Sequence, residues 1–207
     1  MIALDNYGIH VSRETMSRLQ SYHDLILRWT KTINLIAPST VADARLRHIV
    51  DSAQVFTYVP ATAETLVDIG SGGGLPGVVL AILAAEKQPK LRVTLVESDQ
   101  RKATFLKTAI RTLDLSAVVL ATRIEELDIP RCDVVTARAL APAAKLLAFA
   151  DQLMNPTGTA LLQKGRNYAA ELEQATASWR FTCHAHQSLT EPEARILQIE
   201  DIHSVDV

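Results

Sequence analysis

Residues 65–77 read Thr65-Leu66-Val67-Asp68-Ile69-Gly70-Ser71-Gly72-Gly73-Gly74-Leu75-Pro76-Gly77. The apolar residues Leu66, Val67 and Ile69 describe a buried strand, and the glycines follow at once. Pro76 stands where a helix would begin, with its φ already suited to a first turn. The next eight residues, Val78 to Ala85, are apolar and favour helix. Strand, glycine turn and helix together form the opening unit of a nucleotide-binding α/β fold. Glycine lets a ligand approach the backbone closely, and a helix N-terminus offers unpaired N–H groups to an anion.

Two patterns overlap in this loop. Gly72-x-Gly74-x-x-Gly77 matches the dinucleotide fingerprint, with Glu97 at a suitable distance downstream. Asp68-x-Gly70-x-Gly72-x-Gly74 instead places a carboxylate at the strand tip. That charge disfavours a pyrophosphate. It suits S-adenosylmethionine, whose ammonium and sulfonium are positive and whose carboxylate can take the glycine N–H groups. Glu97, at the end of the next strand, can accept both hydroxyls of a ribose.

Outside the loop the chain is an ordinary globular sequence. It has 207 residues, enough for one α/β domain with an extra lobe; 48% are apolar and 21% charged. A net charge of −2 excludes a generally basic nucleic-acid binder. The charge is uneven: residues 1–50 hold six Lys/Arg against four Asp/Glu, residues 151–207 four against eight. A nucleic-acid surface must therefore be local. Cys132 and Cys183 lack CxxC spacing, and there is no signal peptide or membrane-length apolar run. A cytoplasmic chain with free thiols and no membrane partner is expected.

In chain order, Met16, Leu19, Tyr22, Ile26 and Trp29 form one apolar stripe of a helix over 12–30. Thr40-x-x-Asp43 reads as the cap of a second helix, about 41–57, burying Ala42, Leu46, Ile49, Ala53 and Phe56. Arg47, His48 and Asp51 lie away from that face, and Pro60 ends an N-terminal helical lobe, residues 1–60. Residues 61–207 then alternate strand and helix. Strands are expected at 66–69, 91–96, 117–121, 133–136 and 159–163, and helices at 100–113, 142–154 and 168–177. Strands at 178–186 and 194–201 form a late hairpin. The class is α/β, a Rossmann-like seven-stranded, mostly parallel sheet. Its ligand-bearing strand ends hold Asp68–Gly74, Glu97, Arg123–Glu125, Thr136–Arg138 and Lys164.

Several pieces combine into a resemblance. They are Trp29-Thr30-Lys31-Thr32-Ile33-Asn34-Leu35, Arg47-His48-Ile49-Val50-Asp51-Ser52, the whole glycine loop through Leu75-Pro76-Gly77, Leu95-Val96-Glu97-Ser98, Arg101 to Leu106, Arg123-Ile124-Glu125 and Asp133 to Ala139. Together, from about residue 20 to 165, they resemble the RsmG family, the glucose-inhibited division protein B family. The resemblance implies a class I S-adenosylmethionine-dependent methyltransferase fold and methylation of guanine N7 in bacterial 16S ribosomal RNA. It implies cofactor contacts at Gly70 and Leu75, Glu97 at the ribose, Ile124 and Glu125 near the adenine, and Arg138 as a further cofactor-site residue. Family members often have Asp at the position of Glu97, and the segment after Gly165 matches weakly. The cofactor set expected is therefore Asp68, Gly70, Gly72, Gly74, Leu75, Glu97, Ile124, Glu125 and Arg138.

Guanine N7 has an in-plane lone pair and no proton to lose, so its methylation needs alignment and no general base. No Pro-Cys nucleophile and no Asn/Asp-Pro-Pro-aromatic motif is present. Arg138 is the one catalytic candidate, by orientation, donating to guanine O6 or to the methionine carboxylate. His48, Asp51 and Ser52 sit too close together on one helix for a triad; a lobe-to-core contact suits His48 and Asp51 better. Cys183-His184-Ala185-His186 lacks further ligands, so no metal is expected. Arg101, Lys102, Lys107 and Arg111 form a basic stretch beside the cofactor loop. Candidate RNA contacts are Lys31, Arg45, Arg47, Arg101, Lys102 and Lys164. The expected partner is 16S ribosomal RNA or a small-subunit ribosomal particle, bound by a monomer. A small-molecule methyltransferase, with turnover independent of RNA, and a non-catalytic RNA-binding or nucleotide-sensing module are the alternatives.

Overall fold

A computed structural model describes residues 4–205. Helix α1 (Arg13–Thr30) is capped by Ser12, whose Oγ accepts the Thr15 N–H at 3.1 Å. Leu19, Tyr22 and Ile26 of the expected stripe are buried, and Trp29 meets the Phe105 ring edge-on at 5.6 Å.

The second helix departs from expectation. After a 3-10 turn at Pro38–Thr40 the chain becomes helical only at Arg45–Val50, as a π-helical turn, then passes through the single α-turn α2 (Asp51–Ala53) and a 3-10 stretch at Gln54–Tyr58. Thr40 does not cap this segment: its hydroxyl donates to the Ala37 carbonyl at 2.8 Å and lies 2.7 Å from His48 Nε2. Ala42 is exposed, whereas His48 is buried. The wide π-turn presents the Arg47 carbonyl, His48 and Asp51 to the sheet, a deformation typical of functional sites.

The core follows in order: β1 (Thr65–Ile69), α3 (Gly77–Lys87), β2 (Arg92–Val96), α4 (Gln100–Thr112), β3 (Ala117–Leu120), β4 (Cys132–Arg138), α5 (Ala143–Leu153), β5 (Met154–Lys164), α6 (Tyr168–Ala175), β6 (Trp179–Gln187) and β7 (Arg195–Ser204). The seven strands lie in the order β3-β2-β1-β4-β5-β7-β6. The first five are parallel, and β7 runs antiparallel between β5 and β6. Pro76 sits one residue before α3, after a cis Leu75–Pro76 peptide.

Alternation along β1 divides the core. Leu66 joins α1, α3 and α4 on one face, while Val67 and Ile69 join α5 on the other. Every residue from Gly77 to Ala84 is buried, because α3 is clasped between the sheet and α1. Ser12 also donates its N–H to Glu86 Oε2 at 2.9 Å, tying the start of α1 to the end of α3. The strand order reverses between β1 and β4, and ligands of such sheets bind beside that point at the strand carboxyl ends.

Candidate active site

The chain leaves β1 at Ile69 and turns through the glycines directly over the end of β2. Ser71 N–H bonds the Val96 carbonyl at 2.9 Å, and Ser71 Oγ donates to the Asp68 carbonyl at 2.8 Å. Gly72, at φ +56°, donates its N–H to Glu97 Oε2 at 2.8 Å. Glu97 Oε1 accepts the Asp99 N–H at 2.8 Å, while Asp99 caps α4.

Beside this loop opens a cavity of about 350 Å³, at the small end of ligand pockets. Gly70, Gly72, Glu97, Ile124 and Glu125 line it together, as the sequence led us to expect. Lys102 and Lys145 also reach its rim. A Cβ on Gly72 would have no protein atom nearer than Gly70 O at 3.8 Å, so the backbone there is bare. A carboxylate acceptor, an unobstructed glycine and a short apolar wall at Ile124 fit a nucleoside bearing vicinal hydroxyls, and so fit S-adenosylmethionine.

Four expected cofactor residues, Asp68, Gly74, Leu75 and Arg138, lie elsewhere. Asp68 is buried at 1% exposure beneath the loop. Its Oδ1 accepts the Thr136 hydroxyl at 2.7 Å, and its Oδ2, with no side-chain partner among the described residues, faces Gly77 at the positive N-terminus of α3. Burial pushes the Asp68 carboxyl up to about 6. Gly74 faces the core: a Cβ there would strike Val78, the Tyr22 hydroxyl at 2.7 Å and Leu106 at 3.0 Å. Leu75 packs half-buried on the α1 face. The lobe's Tyr22 donates its hydroxyl to the Gly73 carbonyl and so pins the loop from below. Sequence reasoning saw Tyr22 only as a stripe residue; its hydroxyl was the available signal.

Arg138, at the end of β4, turns toward the N-terminal segment. Its Nη2 donates to the Arg47 carbonyl at 2.9 Å and to His48 Nδ1 at 3.0 Å, and its Nε lies 3.5 Å from Asp51 Oδ2. A guanidinium only donates, so His48 Nδ1 holds a lone pair and Nε2 carries the hydrogen toward Thr40. Burial, with Arg138 and Arg47 close by, pushes His48 down to about 4. His48 and Asp51 thus make the lobe-to-core contact that their spacing suggested.

Arg138 lines a second cavity, with Arg47 and Lys164. Arg47 is paired with Glu191. Lys164 Nζ, only 9% exposed, lies 2.6 Å from Glu171 Oε2 and donates to the Ala141 carbonyl at 2.9 Å. Lys31, Arg45 and Arg101 are exposed and make no ion pair among the described residues. Leu140, which sequence reasoning missed, lies over Gly70, where a Cβ would come within 2.5 Å of its side chain. A leucine two residues after Arg138, just past the fourth strand, was the available signal.

Around Arg138, the carboxylates of Asp51, Glu171 and Glu191 are each ion-paired or hydrogen-bonded. His48 is bonded through both ring nitrogens. The Cys132 thiol, at the opposite end of β4, is buried and pushed up to about 12. His186 stacks on Tyr58 at 4.0 Å and contacts Gln198 Oε1 at 3.0 Å. The arrangement binds and orients.

Fold and loop together define a class I S-adenosylmethionine-dependent methyltransferase fold. An O-methyltransferase from Bacillus cereus, solved in complex with SAH, superposes with a TM-score of 0.60 at 13% identity, covering 89% of this chain and 90% of that one. The family model for GidB, rRNA small subunit methyltransferase G, matches residues 15–199. The ribosomal RNA small subunit methyltransferase G of Cereibacter sphaeroides is 50% identical over 193 residues, 93% of each chain. That of a Ruegeria species is 46% identical over 200 residues, 97% of each. The chain belongs to the rRNA small subunit methyltransferase G family.

Proposed function

We propose that this chain methylates N7 of a guanine in bacterial 16S ribosomal RNA, with S-adenosylmethionine as donor. Family membership supports the enzyme class. What supports the N7 assignment is Arg138, fixed at the end of β4 by the Arg47 carbonyl, His48 and Asp51, while the carboxylates that line its cavity are themselves ion-paired or hydrogen-bonded. S-adenosylmethionine supplies a methyl group on a sulfonium. The N7 lone pair forms the new bond, no proton leaves, and the base becomes cationic. Orientation is therefore the whole task of the side chains.

Within this reading Gly70, Gly72 and Glu97 hold the nucleoside, with Ile124 and Glu125 at the adenine. Gly74, Leu75 and Asp68 shape the loop from behind. Arg138 orients the substrates. Lys31, Arg45, Arg101 and Lys102 meet RNA phosphates, since Arg47 and Lys164 are engaged by Glu191 and Glu171. Residues 1–60 act as the lobe and 61–207 as the core; of these, residues 1–3 and 206–207 lie outside the described residues. No helix among the described residues is long and apolar enough to cross a membrane. We place the protein in the cytoplasm as a monomer acting on 16S RNA or a small-subunit particle.

Methyl transfer from labelled cofactor to naked 16S RNA, to small-subunit particles and to small phenolic acceptors tests this. RNA-dependent incorporation is expected; turnover on the phenols without RNA would replace the proposal with a small-molecule enzyme.

A further inference from the structure

The second cavity, about 280 Å³, lies at the carboxyl ends of β4 and β5. Arg138 and Gln163 are register partners on those strands and both line it. Gln163 is 9% exposed. The orientation of its amide is dictated by its neighbours: one end lies 2.8 Å from Asp51 Oδ2 and 2.9 Å from the Asp51 carbonyl, both acceptors, so that end is Nε2. Oε1 is then an acceptor, and it has no partner among the described residues. Arg138 is held through Nε and Nη2, which leaves Nη1 buried and without a partner among the described residues.

A donor and an acceptor, both buried and without a partner among the described residues, thus belong to two side chains that line one cavity from adjacent strands. Buried polar groups are rarely left so, and such exceptions call for an explanation. The geometry is costly to maintain, yet it is actively built. Asp51 fixes both side chains and is itself fixed from the far side, Oδ1 accepting from Gln54 Nε2 at 2.9 Å and Thr190 Oγ1 at 2.6 Å.

We propose that Gln163 selects guanine: its Oε1 accepts N1–H of the target base while Arg138 Nη1 donates to O6. The proposal rests on the reading of the chain as a guanine methyltransferase. O6 and N1–H are neighbours on guanine, an acceptor beside a donor, which complements the pair on β4 and β5. Adenine presents the reverse order, an amino group toward Arg138 and a bare N1 toward Gln163, and both contacts fail. The cavity's volume suits a single base taken out of its stack. Ala139, the residue after Arg138, borders both cavities. N7 adjoins O6, so a base anchored through O6 has its nucleophile on the side of that shared wall.

The test uses the full-length protein and 16S RNA rebuilt with either guanosine or 2-aminopurine riboside at the mapped target. The analogue keeps N7 and lacks both O6 and N1–H. Single-turnover rates are compared for the wild type and Gln163→Met. The guanine to 2-aminopurine rate ratio is expected to fall about tenfold in the variant, because only guanine loses a contact. A merely structural role would slow both substrates alike and leave the ratio unchanged; that result, with cofactor affinity retained, overturns the proposal. If Gln163→Met does not fold, the wild type alone decides: a ratio near one overturns it. Absence of guanine methylation by the wild type on native RNA would instead overturn the functional reading beneath it.

Discussion

Glu97 Oε2 lies 2.8 Å from the Gly72 nitrogen, so the carboxylate at the end of β2 and the glycine loop after β1 form one unit. The same side chain lines the adjoining cavity, where the proposed function has it accept ribose hydroxyls. Glu97→Ala removes a loop anchor and a charge-assisted acceptor together. Cofactor affinity is expected to weaken by about 1.5–3 kcal/mol, read by titration calorimetry. Unchanged affinity would remove Glu97 from the site.

Gly72 and Gly74 share one loop and face opposite ways. Gly72→Val places a β-branched residue at φ +56° with its side chain toward open space. It is expected to abolish cofactor binding. Gly74→Ala drives a methyl into Val78, Tyr22 and Leu106. It is expected to lower the melting temperature by several degrees, as overpacking of about 1–3 kcal/mol would. A Gly74→Ala protein of normal melting temperature would contradict the packing role.

His48 makes stability depend on pH. Its folded value of about 4 lies below the ordinary 6.5, so its contribution is complete above pH 6.5 and is lost as pH falls toward 4. Asp68, raised to about 6, acts with the opposite sign: its contribution is present below about 4 and lost as pH rises through 6. Comparison of the wild type with His48→Gln cancels Asp68. The wild-type advantage is expected to shrink by on the order of 3 kcal/mol between pH 7 and pH 4 in denaturant titrations. A difference independent of pH would contradict the neutral, doubly bonded imidazole.

Arg45 and Arg101 are exposed and line neither site cavity. Arg45→Ala with Arg101→Ala should weaken RNA binding and lessen its salt slope by roughly 1.4–1.8, with cofactor affinity unchanged. An unaltered slope would remove both residues from the RNA surface.

Much of this was legible in the sequence because it is local. Alternation and helical spacing placed the seven strands and the helices of the core, and Asp68 through Gly77 located the loop. What was not legible depends on tertiary partners. Nothing near Gly74 tells that Tyr22, about fifty residues earlier, closes over it. Lys164 reads as a free cation until α6 brings Glu171 beside it. The π-turn at Arg45–Val50 escaped because its partner is distant: the Arg47 carbonyl and His48 meet Arg138 at the end of β4. Gln163 looked like the polar end of a strand, and only Asp51 shows which way its amide must face.

The central claim is that a guanine of 16S ribosomal RNA is methylated at N7 by orientation alone. The most direct measurement is reductive aniline cleavage of RNA modified in single turnovers at saturating cofactor, with rates taken between pH 6.5 and 8.5. Scission at one guanine and a flat pH–rate profile are expected. Methyl recovered on a carbon or an exocyclic amine, together with a rate that needs one enzyme group deprotonated, would contradict the account.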